Sequence, residues 1–224
     1  MKQSAAGDDN VARFCLSPLP LAVSALAALA ALLPLLLAAP LRAQAPRPAG
    51  IVRADHHTRT SALVLAGTSV ASFGVLWVLP EEMSKWPKED RQMNHFLDAY
   101  RSPPVWDRDP FFWNYIAHPV IGQYTYLMER NYGESRLRSF LFSTAASVAW
   151  EYGVEAAIEH PSAQDLLTTS PVGSLLGEAS YVATRRMARD GFNRWEKAAM
   201  LLVNPVYVVQ SRGMRRPMLR MAPR

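Results

Sequence analysis

The chain has 224 residues, half of them hydrophobic, with 19% charged side chains and a formal net charge of +5. That is enough for one domain of ordinary size with its own core. Its single cysteine, Cys15, lies ahead of the first apolar run, so disulfides, thiolate metal sites and cysteine nucleophiles are excluded from everything after it.

The N-terminus carries Lys2 and Arg13 before a Leu/Ala-rich run over residues 16–39. Ala43-Gln44-Ala45 then has the small-x-small form of a signal-peptidase site. Pro46 opposes cleavage there, which leaves an uncleaved anchor as the alternative. Either way residues 1–45 predict export, to the periplasm or to a membrane of the cell envelope. Residues 46–60, rich in Pro, Ala and Arg, read as a linker, and His56-His57 within it as exposed rings. A helical domain is expected over 61–210, followed by a basic tail over 211–224. That tail holds five arginines and no acid, whereas the rest of the exported part has slightly more acid than base. The tail suits anionic headgroups or solvent, and the body has no basic motif to make nucleic acid a partner.

Residues 61–79 are almost wholly apolar and end at Pro80, at the short limit for a membrane span, and their small residues Gly67, Thr68, Ser69, Ser72 and Gly74 suit a helix buried against other helices equally well. A mean hydropathy of −0.04 argues against several spans. Nine aromatic residues crowd the stretch from Phe96 to Tyr126, a density that makes either an interfacial belt, the favoured reading given the export signal, or a lid over the core. His118-Pro119 reads as a helix entrance, with His118 as a capping residue and Gly133 beyond the helix end. A helix over 135–159 follows, then a Ser162/Asp165 capping pair, a helix from Ser170-Pro171 to about 190, and a last one over 193–203. With no run of alternating strand pattern, the expected class is all-α: a membrane-associated helical bundle.

The chemistry concentrates on the 135–159 helix. Glu151, Glu155 and Glu159 recur every four residues, which stacks them on one face among Trp150, Tyr152, Val154 and Ala156. Like charges so spaced repel, and burying them unpaired costs more, so partners are required. Ser143 and Ser147 share that face as hydrogen-bond donors. Neither Glu-x-x-His nor His-Glu-x-x-His occurs, and Gly173-Ser174-Leu175-Leu176-Gly177 reads as a small-residue packing face. Asn114, His118, Glu151, Glu155, Asp165 and Glu178 are expected to form one internal polar cluster tying the helices together.

The order of blocks also resembles a known family. Asp109-Pro110-Phe111-Phe112-Trp113-Asn114-Tyr115-Ile116-Ala117-His118-Pro119, Gly122-Gln123-Tyr124 and Trp150-Glu151-Tyr152-Gly153-Val154-Glu155 carry the likeness. So do residues 161–166 and 169–178. Over about residues 70–205 the chain resembles the bacterial envelope family called domain of unknown function 3943. Ser170 interrupts the threonine-proline step usual in that family. The resemblance implies an exported, mostly helical, membrane-associated protein and assigns no activity or cofactor.

The leading expectation is a structural or interaction module whose partner is membrane lipid or another envelope protein. The alternative is an enzyme acting on an envelope lipid or surface substrate, with His118, Glu151, Glu155 and Asp165 as reacting groups or metal ligands. A third is a lipid carrier with a groove lined by Trp106, Phe112 and Trp113. An open pocket reaching His118 and Glu151 speaks for the enzyme, and a dry, fully paired cluster for the module.

Overall fold

The structure, a computed structural model, describes residues 54–84, 86, 94–189 and 191–215. The expected signal segment, the start of the linker and positions 216–224 of the tail lie outside the described residues. The described residues are helical, apart from loops and one isolated backbone pairing between Val105 and Ser162, so the all-α class stands.

In chain order the elements are α1 (Ala54–Val78), α2 (Glu81–Ser84), α3 (Asn94–Ala99), a π-helical turn (Trp113–Ala117) running straight into α4 (His118–Arg130), and α5 (Arg136–Gly153). A 3-10 turn (Glu155–Ala157) follows. Then α6 (Ala163–Leu167), a second π-helical turn (Thr168–Val172) and α7 (Gly173–Met187) form one continuous rod, with α8 (Arg194–Val203) and α9 (Pro205–Gln210) after it. Each π-turn lies beside a proline, Pro119 or Pro171, whose missing N–H and ring disturb the regular ladder.

Three expectations are corrected. α1 begins at Ala54, inside the stretch read as linker, and His57 is buried in it against Glu129, Glu134 and the ring of Tyr132. α5 stops at Gly153, six residues short of Glu159, because the chain turns to bury Ala157 and Ile158 against Trp86. Glu151, Glu155 and Glu159 therefore do not share one helical face. His118 is no cap either: the π-turn already leads into α4, and no side chain caps its start. The Ser162 cap is present, its hydroxyl accepting from the Asp165 N–H at 3.1 Å.

Four long rods make the bundle. α4 and α7 run in the same direction and touch backbone to backbone. A methyl added to Gly122 would sit 1.6 Å from the Thr169 carbonyl oxygen, and one on Gly173 would sit 2.5 Å from the Gly122 backbone. One turn on, Gly177 admits the ring of Tyr126, and beyond it Arg130 lies 4.1 Å over the Tyr181 ring. α5 runs opposite to both, presenting Ser139, Ser143, Ser147 and Glu151 inward at four-residue intervals. Ser143 bonds Thr125 at 2.8 Å and the Gly122 carbonyl at 3.2 Å. α1 lies antiparallel to α4, anchored where Thr58 donates to Glu129 at 2.7 Å.

Burial is inverted relative to a water-soluble bundle. The interior is largely Ser, Thr, Asn, Gln and carboxylate, with two compact apolar clusters, Leu127, Tyr181, Met200 and Tyr207 in one and Trp86, Ala157 and Ile158 in the other. Large apolar side chains point outward instead: Leu202 is 83% exposed, Leu63 73% and Trp195 72%, with Val70, Phe111, Leu141 and Val209 like them. Some interior polar groups are bonded to one another, as where Asn204 meets Asn131 and Thr184, each at 3.0 Å, while others such as Ser139 Oγ and Asp165 Oδ1 have no hydrogen-bond partner. The two ends differ in charge. Arg59, Arg130, Arg136, Arg138, Arg185 and Arg186 gather at one, and Asp107, Glu151, Glu155, Glu159 and Asp165 at the other.

The glycine contact makes a direct prediction. Gly122→Ala should cost about 3 kcal/mol or more, because the clash is with backbone and no rotamer relieves it. Gly67→Ala on the open face of α1, where an added methyl meets nothing, should be neutral or stabilise by about 0.5–1 kcal/mol. Thermal melts of the detergent-solubilised full chain check the contrast.

Candidate functional site

The glycine crossing places the site. His118 stands one turn before Gly122 and Thr169 one turn before Gly173, so the contact that joins the backbones also brings these side chains together. His118 Nδ1 lies 3.0 Å from the Thr169 hydroxyl. Its Nε2 faces Asp165 Oδ2 at 3.6 Å, too long for a hydrogen bond. Glu151 approaches from α5. One ligand atom each from His118, Glu151 and Asp165 lies within 4.8 Å of the others, and these three are the residues that could hold a metal.

Ser162 is the hub beneath them. Its N–H donates to Glu151 Oε2 at 2.8 Å, its hydroxyl donates to Asp107, and the same oxygen accepts from the Asp165 N–H. Asp107 also accepts from Asn114 at 2.6 Å. The Val105–Ser162 pairing fixes this loop, with Val105 N–H to the Pro161 carbonyl at 2.9 Å and Ala163 N–H to the Val105 carbonyl at 2.8 Å.

The electrostatics are one-sided. Among the described residues no lysine or arginine comes within salt-bridge distance of Glu151, Glu155, Glu159 or Asp165. Burial, then the neighbouring Glu151 and Glu159, holds the Glu155 carboxyl well above its ordinary range. Glu159 is pushed up to about 7, first by burial and then by Asp109 and Asp107. Asp165, with its side chain 4% exposed, keeps Oδ1 without a hydrogen-bond partner.

A cleft of about 240 Å³ opens onto this centre beside α1. Leu65, Thr68, Ser69 and Ser72 of α1 form one wall, and Ile121, Ala146 and Trp150 the other. His118, Glu151 and Thr169 lie at its polar end.

Of the residues singled out from sequence, His118, Glu151 and Asp165 converge, Asn114 supports them through Asp107, and Glu155 stands behind Glu151. Glu178 does not join. It lies at the opposite end, bound to Arg130 at 2.7 Å, Arg136 at 2.8 Å and the Tyr126 hydroxyl at 2.7 Å. Sequence reading missed Asp107, Thr169 and the role of Ser162. Asp107 was the more legible, as an acid beside Trp106 in an irregular proline-rich segment.

Residues 103–206 match the model of a family described as a domain of unknown function (DUF3943). That segment of the chain is similar to the family's domain. No curated protein and no solved structure matches the chain. The DUF3943 segment takes in every residue of the centre from Asp107 to Thr169, while the α1 wall of the cleft lies outside it.

The raised carboxyls set the sign of a pH effect. Glu159 has a folded value of about 7 against an ordinary 4.5, so the folded state holds an extra proton between those values. Its favourable contribution is full below about 4.5 and is lost as pH rises through 7. The melting temperature should therefore fall between pH 5 and pH 8. Glu155→Gln with Glu159→Gln should make that fall shallower, and an unchanged slope would contradict the assignment.

Proposed function

We propose that this is an integral membrane protein whose bundle sits in the bilayer, and that it acts as an enzyme on an amphiphilic envelope substrate. The observation that carries the reading is the inverted burial: serines, threonines and carboxylates inside, leucine, valine and aromatic side chains outside. In lipid the exterior needs no polar cover, and small polar side chains hold helices together at close range. α1 supplies an apolar helix of 22 residues from His57 to Val78, with little of it buried inside the protein. α5 spans 18 residues and the continuous rod from Ala163 to Met187 is longer still.

Trp77, Trp106, Phe111, Phe112, Trp113 and Tyr115 are exposed around the acidic end, where an interfacial belt belongs. Arginines at the other end favour the cytoplasmic side, so the centre would open toward the outer face, in keeping with export. The low mean hydropathy then reflects a polar interior rather than a water-facing surface.

The cleft supports the enzyme over the purely structural module. An acyl chain fits its apolar walls, and the head group would meet His118 and Glu151. The unpartnered Asp165 oxygen also favours a working site over a fully paired structural cluster. No groove lined by Trp106, Phe112 and Trp113 is needed: Phe112 and Trp113 stack edge to face as part of the belt.

The test is reconstitution of the full chain in phospholipid vesicles. The protein should resist carbonate extraction. Native mass spectrometry should detect an amphiphile that Ser69→Trp, which fills the cleft, lowers at least tenfold. Turnover of that amphiphile should be lost in Glu151→Gln and retained in Glu178→Gln. Release by carbonate would sink the membrane placement, and amphiphile capture unaffected by Ser69→Trp would sink the cleft.

A further inference from the structure

We propose that His118, Glu151 and Asp165 bind a divalent transition-metal cation. The inference rests on the reading above in taking the cleft-facing centre as the working site, and it names what completes that centre.

Three independent features point to a cation. First, the ligand atoms converge from three separate rods: α4 supplies the imidazole, α5 one carboxylate and α6 the other. A cation held at about 2.0–2.2 Å keeps such atoms roughly 3 to 4.4 Å apart, and the observed spread of 4.8 Å or less needs only a small inward movement. Second, Asp165 Oδ1 is buried with no hydrogen-bond partner, the costliest state for a carboxylate oxygen unless a cation serves it. Asp165 belongs to an acidic group that has no described lysine or arginine to balance it.

Third, the surroundings orient the ligands as metal sites require. A histidine bound through one ring nitrogen usually donates from the other, which fixes the tautomer. In the tautomer whose Nδ1–H donates to Thr169 Oγ1, the His118 Nε2 lone pair faces Asp165 Oδ2 at 3.6 Å, the arrangement a cation between them would ligate. The Ser162 N–H holds Glu151 Oε2 in the same way. Asp107 already accepts from Asn114 and Ser162, so it steadies the loop and is not a ligand.

One imidazole with two carboxylates favours Zn²⁺ or Mn²⁺ over Mg²⁺ or Ca²⁺, which prefer oxygen alone. Three protein ligands leave coordination positions open, and the cleft supplies access to them. A substrate head group bearing phosphate or carbonyl oxygen would complete the shell.

The experiment uses the full chain in nanodiscs, stripped with chelator and then titrated with Zn²⁺ or Mn²⁺. We expect one equivalent retained after desalting, measured by elemental mass spectrometry, and a rise in melting temperature on loading. Asp165→Asn and His118→Gln should each weaken affinity at least tenfold, while Glu178→Gln leaves it unchanged. If either ligand variant does not fold, Co²⁺ decides with the parent chain, where visible absorption bands should appear and be abolished by competing Zn²⁺. Failure of the parent to retain stoichiometric metal, or full affinity in Asp165→Asn, overturns the proposal. Ser69→Trp separates the two readings. Metal retained with the amphiphile lost supports both, whereas amphiphile bound and turned over without metal sinks the cation alone.

Discussion

The backbone-to-backbone contact of Gly122 with Thr169 and Gly173 decides where everything else goes. Side chains beyond hydrogen would separate α4 from the α7 rod, and the separation would be felt first one turn away, at His118 and Thr169. The contact also leaves room for only small groups on the neighbouring face of α5, which is why Ser139, Ser143 and Ser147 lie there. Small residues at a crossing give close packing and short hydrogen bonds in place of bulky apolar interlock. The polar centre is thus a consequence of the crossing.

The two ends of the bundle solve opposite electrostatic problems. At the basic end each buried acid finds a cation or donor: Glu178 takes Arg130, Arg136 and Tyr126, and Glu134 takes Arg138 at 3.3 Å. At the acidic end the carboxylates outnumber their donors, and backbone N–H groups and hydroxyls carry the load. Paired clusters of the first kind are structural, because removing either partner strands the other. An excess of one sign in a partly buried place stores unfavourable energy, and proteins keep it where a ligand or proton relieves it. The asymmetry between the ends is what separates a staple from a site.

α1 links these two roles. Its first turn is locked to the basic end through Thr58, His57 and Tyr132, while its middle offers Leu65, Thr68, Ser69 and Ser72 to the cleft. A helix fixed at one end and bordered by small side chains in the middle makes a wall without filling the space behind it. Nothing larger than Leu65 intrudes from that side.

The sequence by itself determined the class, the order of the helices and most of their ends. Gly133 with its φ of +89° and the Ser162 cap are local signals that read correctly, whereas Pro119 and Pro171, read as helix starts, lie within continuous helical rods. It also picked out His118, Glu151 and Asp165 as groups needing partners, because a carboxylate among apolar residues is costly wherever it lies. It misjudged α5 beyond Gly153, the buried His57 and Glu178, since each depends on a neighbour remote in the chain: Trp86, Glu129 and Arg130. Only the tertiary structure could decide which acids share a space, because a four-residue interval specifies a face of a helix and not what packs on it. The same holds for the inverted burial: composition averages inside with outside, and only the fold separates them.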